Sequence, residues 1–296
     1  MKNILFFFLF SGFTASAQQI NTSGFYEVYS LLHNPATTGS RQQAFIGGSF
    51  KRQWNNIPGS PQTGVIYGQT YLQKARLGFG GYLYHDVTGP TARTGLQMSY
   101  AYHIPIAEKS SFSMGLEARL QQLSFDRAKL QAALGGIDPV ATSLSNRLKG
   151  DAGVGFAYTS PKLQIGAAVS QLLQSRYNLY EGVGMRSEQS KLYRHYYLQA
   201  SYNWQVDEEI TIMPNTLITY LPNAPLEMLY GARVIHEKLF WYGLTWRRQQ
   251  GWLVSAGLTL NQKFSIGYSY DFYKAPLSVY SAGSAGHELL LHYVFR

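Results

Sequence analysis

The sequence predicts an all-β protein, a transmembrane antiparallel β-barrel of about fourteen strands that follows a cleaved signal peptide. Three observations carry this expectation. Apolar residues alternate with small or polar ones at a period of two in segment after segment. The segments run to about ten residues, the length of a tilted strand crossing a bilayer. Every second connection is a short polar turn and the others are mostly longer, the asymmetry of an outer-membrane barrel with its short side in the periplasm.

The chain opens MKNILFFFLFSGFTASAQQ, with Lys2 as a basic start, residues 4–10 as a short apolar core and Ala15-Ser16-Ala17 as a small-residue cleavage site. Residues 1–17 therefore read as a signal peptide and 18–43 as a periplasmic segment before the barrel, which takes 44–296. The apolar core is too short for a membrane-spanning helix, and no later stretch approaches the roughly 20 apolar residues one needs.

Strands are expected at 44–54, 63–72, 76–86, 91–104, 111–125, 150–159, 163–172, 193–205, 210–220, 226–235, 239–246, 251–260, 264–272 and 288–295. The clearest alternation puts Trp252, Val254, Ala256, Leu258 and Leu260 on one face and Leu253, Ser255, Gly257 and Thr259 on the other. Phe264, Ile266, Tyr268, Tyr270 and Phe272 repeat the pattern, as do Phe240, Tyr242, Leu244 and Trp246. Polar turns fall at Gln73-Lys74-Ala75, Ala107-Glu108-Lys109, Ser160-Pro161-Lys162, Asp207-Glu208-Glu209, His236-Glu237-Lys238 and Asn261-Gln262-Lys263. The long connections are 126–149, 173–192 and 273–287. A soluble sandwich also alternates, but its strands are shorter and its shell carries more charge.

Composition agrees with a membrane barrel. Charged residues are 14% and aromatic residues 15%, with 29 glycines. The absence of cysteine removes disulfides, thiolate chemistry and a lipidated cysteine together. Net charge is +9 without any basic block, which disfavours nucleic acid as a partner of an exported chain. Arg127, Lys129, Arg147, Lys149, Arg176, Arg186, Lys191, Arg194, Arg247, Arg248 and Lys274 fall on or beside the expected outer loops. They read either as a solvated rim or as a ring for phosphates of outer-membrane lipid or an acidic partner.

Candidate chemistry is sparse. The ending GHELLLHYVFR resembles a zinc helix, but His287-Glu288 and His292 are one residue too far apart for HExxH. On a strand His287 and His292 point to opposite faces, while Leu289, Leu291, Tyr293 and Phe295 share the lipid face and Glu288 and His292 the lumen. Gly78-Phe79-Gly80-Gly81 lacks the following helix of a nucleotide loop, and close packing inside a barrel accounts for its glycines. No GxSxG elbow is complete, so no catalytic residue, metal or cofactor is expected. A hydrolase assembled from distant strands would leave no local trace. The inward series His195, Tyr197, Gln199, Ser201 and Asn203 gives a polar lumen, which also suits a porin or a solute-selective channel.

Four stretches, TSGFYEVYSLLHNPATTG, FKRQWNNIPGSPQTGVIYGQTY, LGFGGYLYHDVTGPTARTGLQMSYAYHI and YSYDFYKAPLSVYSAGSAGHELLLHYVF, together resemble the PorP/SprF family of type IX secretion proteins. The resemblance implies a non-enzymatic outer-membrane barrel that assists export or surface retention of a large cargo protein, in secretion and gliding. It implies as partners a cargo with a type IX sorting domain, other secretion components at the periplasmic rim, and outer-membrane lipid. By position it singles out Asn34, Pro35, Ala36 and Gly39, then Arg52, Gln53, Trp54, Gly59, Pro61 and Thr63. Further on it marks Asp86, Gly89, Pro90, Asp271, Gly286, His287 and Glu288. Thr37 and Gly286 depart from the family's usual aromatic and serine. The partner-binding candidates are Tyr29, Asn34, Pro35, Gly39, Arg52, Trp54, Asp86, Asp271, His287, Glu288 and His292. Segment 25–39 and the pair Glu288 with His292 stand out, because a pre-barrel segment has no lipid to face and a buried carboxylate needs a partner.

Overall fold

The computed structural model describes residues 23–135, 147–178, 189–248, 250–274, 278 and 286–295; the expected signal peptide lies outside them. Fourteen strands form an antiparallel barrel: β1 Ala44–Gln53, β2 Gln62–Leu72, β3 Leu77–Thr88, β4 Thr91–Ala107, β5 Ser110–Phe125, β6 Arg147–Thr159 and β7 Leu163–Ser170. The other seven are β8 His195–Tyr202, β9 Ile210–Tyr220, β10 Glu227–His236, β11 Phe240–Arg247, β12 Gly251–Leu260, β13 Phe264–Tyr273 and β14 Gly286–Phe295. Each strand pairs with its neighbours in sequence, and β1 pairs β14 from Ala44 opposite Phe295 to Gln53 opposite Gly286. That last ladder removes the open edge, so backbone groups bond within the wall, as hydrocarbon requires.

The alternation read from the sequence sets the two faces. Leu289, Leu291, Tyr293 and Phe295 point outward while Glu288 and Leu290 are buried inside. The same holds along β12, where Trp252, Val254 and Leu258 face out and Leu253 is buried. Tight reversals at the short-turn rim use left-handed residues in pairs, Glu237 with Lys238 and Asn261 with Gln262, as the twist of a hairpin favours. At Asp207 the side chain instead accepts from the N–H groups of Glu209 and Ile210. The eighth strand breaks at Asn203, whose N–H donates to Lys162 O, and resumes at Trp204–Gln205.

Two outer connections are as tight as the inner ones, at Gly89-Pro90 and between β11 and β12. The long connection after β5 starts with a helix, α1 Arg127–Leu134, which Asp126 caps at its N-terminus by accepting from Lys129 N. Gly135 ends it in the left-handed region. The next outer connection carries a small ladder of Arg176–Asn178 with Gln189–Lys191. Residues 136–146 and 179–188, Arg186 among them, lie outside the described residues.

Over residues 23–43 the expected periplasmic placement gives way to a different one; residues 18–22 lie outside the described residues. Residues 23–43 run inside the barrel as a plug, with Phe25, Tyr29, Asn34 and Ala36 fully buried. The physical reason lies in both partners. A segment carrying Phe25, Tyr26, Tyr29 and Leu31 gains from leaving water, and lumen-facing glycines leave room for it. A Cβ on Gly115 would overlap the Pro35–Ala36 backbone, and one on Gly78 would overlap the Thr38 carbonyl. The glycines near 78–81 thus serve close packing, against the plug rather than against other wall side chains alone.

Candidate functional site

The site is the plug and the wall that holds it. Two short 3₁₀ turns, Ser30–Leu32 and Pro35–Thr37, fold the segment back on itself. Asn34 makes the second turn, because its Oδ1 accepts from Ala36 N at 2.9 Å and Pro35 presets the turn's first φ. The same side chain donates from Nδ2 to the Phe156 carbonyl at 3.0 Å, tying the turn to β6. Ala36 O accepts from Ser113 Oγ at 2.8 Å, and Thr38 O from His103 Nε2 at 2.9 Å. Gly39, left-handed at φ 76°, donates its N–H to Gln69 Oε1 at 3.0 Å.

At the plug's other end Glu288 is the acceptor. Ser23 Oγ lies at 2.5 Å, Gly24 N at 2.6 Å and Tyr29 OH at 2.9 Å from its carboxylate. Burial, and then the charge of Glu288, push the Tyr29 phenol up, so it remains a donor. Its ring packs 4.6 Å from that of Tyr67, whose hydroxyl is 3.1 Å from His292 Nδ1. Glu288 also faces Lys51 across the β1–β14 ladder. Lys51 is 3.0 Å from Asp271, and Arg247 is 3.1 Å from the same carboxylate. Two cations and two carboxylates thus form one buried, balanced group.

Two further charged anchors complete the wall. Glu27 pairs with Arg233, whose guanidinium lies 4.0 Å over the Trp241 ring, and Phe25 meets that ring edge-on. Gln97 donates to Leu31 O at 3.4 Å and accepts from Arg119 at 2.5 Å, while Arg119 also pairs with Glu117 at 3.1 Å. Tyr26 donates to Asn215. His33 sits fully enclosed beside Tyr197, and burial, with the charge of Arg119 second, pulls its pKa down to about 4.

The structure therefore brings Tyr29, Asn34, Pro35, Gly39, Glu288 and His292 together at the plug, with Asp271 directly behind Glu288. Asp86 lines the outer lumen, where it accepts from Thr63 Oγ1 at 2.6 Å. Arg52 and His287 are not part of this assembly. They lie opposite each other on the outward face, where His287 meets Tyr268 OH at 2.5 Å. Trp54, left-handed just beyond β1, packs near Tyr273 at the outer rim. Arg247 is buried in the lumen rather than set on an outer loop.

Sequence reasoning missed Glu27, Arg233, Gln97, Arg119 and Glu117. The signal was available in part: Gln97, Glu117, Arg119 and Arg233 each stand at inward positions of an alternating strand, where a buried polar or charged group needs a partner. Away from the plug, Glu209, His236 and Glu237 bring ligand-capable atoms within 4.8 Å at the short-turn rim, a largely exposed group.

Solved barrels share this architecture. Omp33 of Acinetobacter baumannii aligns with a TM-score of 0.51 and 7% identity, over 86% of this chain and 98% of that one. The deltaS2S3 mutant of TodX, a monoaromatic hydrocarbon channel, gives 0.53 and 10%, over 90% and 93%. The toluene transporter TbuX of Ralstonia pickettii gives 0.50 and 10%, over 90% and 93%. At these identities the likeness concerns the fold, an outer-membrane barrel. No curated protein sequence matches the chain. The model of type IX secretion system membrane proteins PorP/SprF matches residues 14–293, nearly the whole length. The chain is an outer-membrane β-barrel that belongs to the PorP/SprF family.

Proposed function

We propose that this barrel works in type IX secretion as a plugged, non-enzymatic accessory that assists export or surface retention of a particular large cargo protein, with roles in secretion and gliding. The observation that carries this reading is the occupied lumen. A family member whose interior is filled by its own N-terminal segment offers its rims and outer loops to partners, and no wide pore to solutes. The outer connections 126–149 and 173–192 lie outside the four stretches on which the family resemblance was read, which suits cargo-specific contacts. The short-turn rim, including the chain that leaves the plug at residues 40–43, is the surface for other secretion components.

Surface proteomics of a deletion strain tests this. Loss of one or a few large secreted proteins, with small-solute uptake unchanged, is the expected result. Exchanging the two outer connections with those of a paralogue should switch which cargo is retained. An unchanged secreted profile with reduced solute uptake would overturn the reading and promote a porin.

A further inference from the structure

The outer half of the lumen holds a cavity of about 140 Å³. Its lining runs from Leu32 and His33 on the plug to Asp86, Arg93 and Leu123 at the outer ends of β3, β4 and β5. That volume is close to the roughly 150 Å³ of an apolar cavity known to hold benzene. Tyr82, Tyr84 and Tyr197 supply flat walls of matching size.

The polar part of the lining is unfinished. Four side chains that are nine-tenths or more buried leave atoms without a hydrogen-bond partner: His33 Nε2, Arg119 Nε, Gln171 Oε1 and His195 Nε2. Buried polar groups are normally paired, so such a concentration around one cavity calls for a partner in it. Arg93, half-buried on the same wall, makes no ion pair or hydrogen bond among the described residues. Asp86 stands opposite it in the ladder but is held by Thr63 Oγ1.

The unmet groups are of two kinds. Arg93 offers N–H donors and positive charge, and Arg119, already paired with Glu117, offers one further N–H at Nε; together they ask for a carboxylate. His195 donates from Nδ1 to the Tyr193 carbonyl, which leaves its Nε2 an acceptor, and Gln171 Oε1 is another. Those two ask for a donor. We propose that this cavity binds a ring-sized carboxylic acid that also carries a hydroxyl, the carboxylate toward the arginines and the hydroxyl toward His195 and Gln171.

The test uses the full mature barrel in detergent and titration calorimetry with three probes: 4-hydroxybenzoate, benzoate without the hydroxyl, and phenol without the carboxylate. Saturable binding of 4-hydroxybenzoate, at least tenfold tighter than either other probe, is expected. Arg93→Gln should weaken it at least tenfold with the melting temperature unchanged, because Arg93 makes no ion pair or hydrogen bond among the described residues. No saturable binding of 4-hydroxybenzoate at millimolar concentration would overturn the proposal. So would equal binding of benzoate or of phenol, or an Arg93→Gln barrel that binds as tightly as the wild type.

Discussion

Glu288→Ala is the sharpest test of how the plug is held. Its carboxylate takes bonds from Ser23 Oγ, Gly24 N and Tyr29 OH at 2.5, 2.6 and 2.9 Å. A hydrogen bond to a charged group contributes roughly 1.5–3 kcal/mol. Neighbouring bonds on one acceptor do not add in full, so the loss against docking should be about 3–5 kcal/mol. That corresponds to a rise in the undocked population of roughly a hundredfold to several thousandfold. Removing the charge also takes one of the two carboxylates from the buried group that holds Lys51 and Arg247, which adds to the cost. Glu288→Gln keeps the shape and one acceptor oxygen, and should cost roughly 1–2 kcal/mol. Single-channel recording in planar bilayers reads the effect, with a deletion of residues 23–42 as the open control. Wild-type barrels should open rarely and Glu288→Ala barrels at least tenfold more often. A Glu288→Ala barrel that folds, shown by heat-modifiable migration, yet opens no more often than wild type while the deletion conducts, would refute the anchoring role.

Gly115→Val should leave the wall intact but evict the plug, because its side chain would occupy the Pro35–Ala36 backbone position; conductance like that of the plug deletion is the expected result. Tyr293→Ala with Phe295→Ala removes two outward aromatic rings next to the closing ladder, at a cost of roughly 2–4 kcal/mol together. The folded, heat-modifiable fraction should fall while synthesis is unchanged. His33 has a folded pKa of about 4 against an ordinary value of 6.5, so the undocked plug binds the extra proton. Docking is therefore fully stable above pH 6.5 and weakens as pH falls toward 4. Opening of the wild-type barrel should rise over that window more steeply than opening of a His33→Asn barrel.

The wall was legible because each strand carries its own evidence. Trp252 to Leu260 alternates whatever surrounds it, and the pleat then decides which side chains meet lipid. The closing strand followed for the same reason, which is why Glu288 and His292 could be placed in the lumen and His287 apart from them. The plug was not legible in that way. Phe25, Tyr26, Tyr29 and Leu31 show that the segment must be buried, but neither a period of two nor one of 3.6 says where. Position before β1 suggested the periplasmic rim, and only the glycines at 78 and 115 hinted at space inside. Partners such as Glu27 with Arg233 join residues some two hundred positions apart, and no local pattern pairs them.

The plug's anchorage bears on the route of the cargo. Undocking must break the Glu27–Arg233 pair, three bonds to Glu288, the Asn34 and Ala36 contacts to β5 and β6, and the aromatic packing of Phe25 and Tyr29. Breaking one buried pair alone costs about 3–5 kcal/mol, so the whole set makes spontaneous emptying of the lumen rare. Delivery that relies on rims and outer loops leaves the plug seated. The absence of native cysteine allows a direct test, since an introduced pair has no competitor. A Cβ on Gly24 would stand 3.0 Å from Ser269 Cβ, and a shift of about half an ångström reaches the usual disulfide spacing. Gly24→Cys with Ser269→Cys should therefore oxidise and fix the plug to β13. Surface delivery of cargo by the oxidised barrel should match that of the reduced one. A block that dithiothreitol relieves would instead place the cargo's path through the lumen.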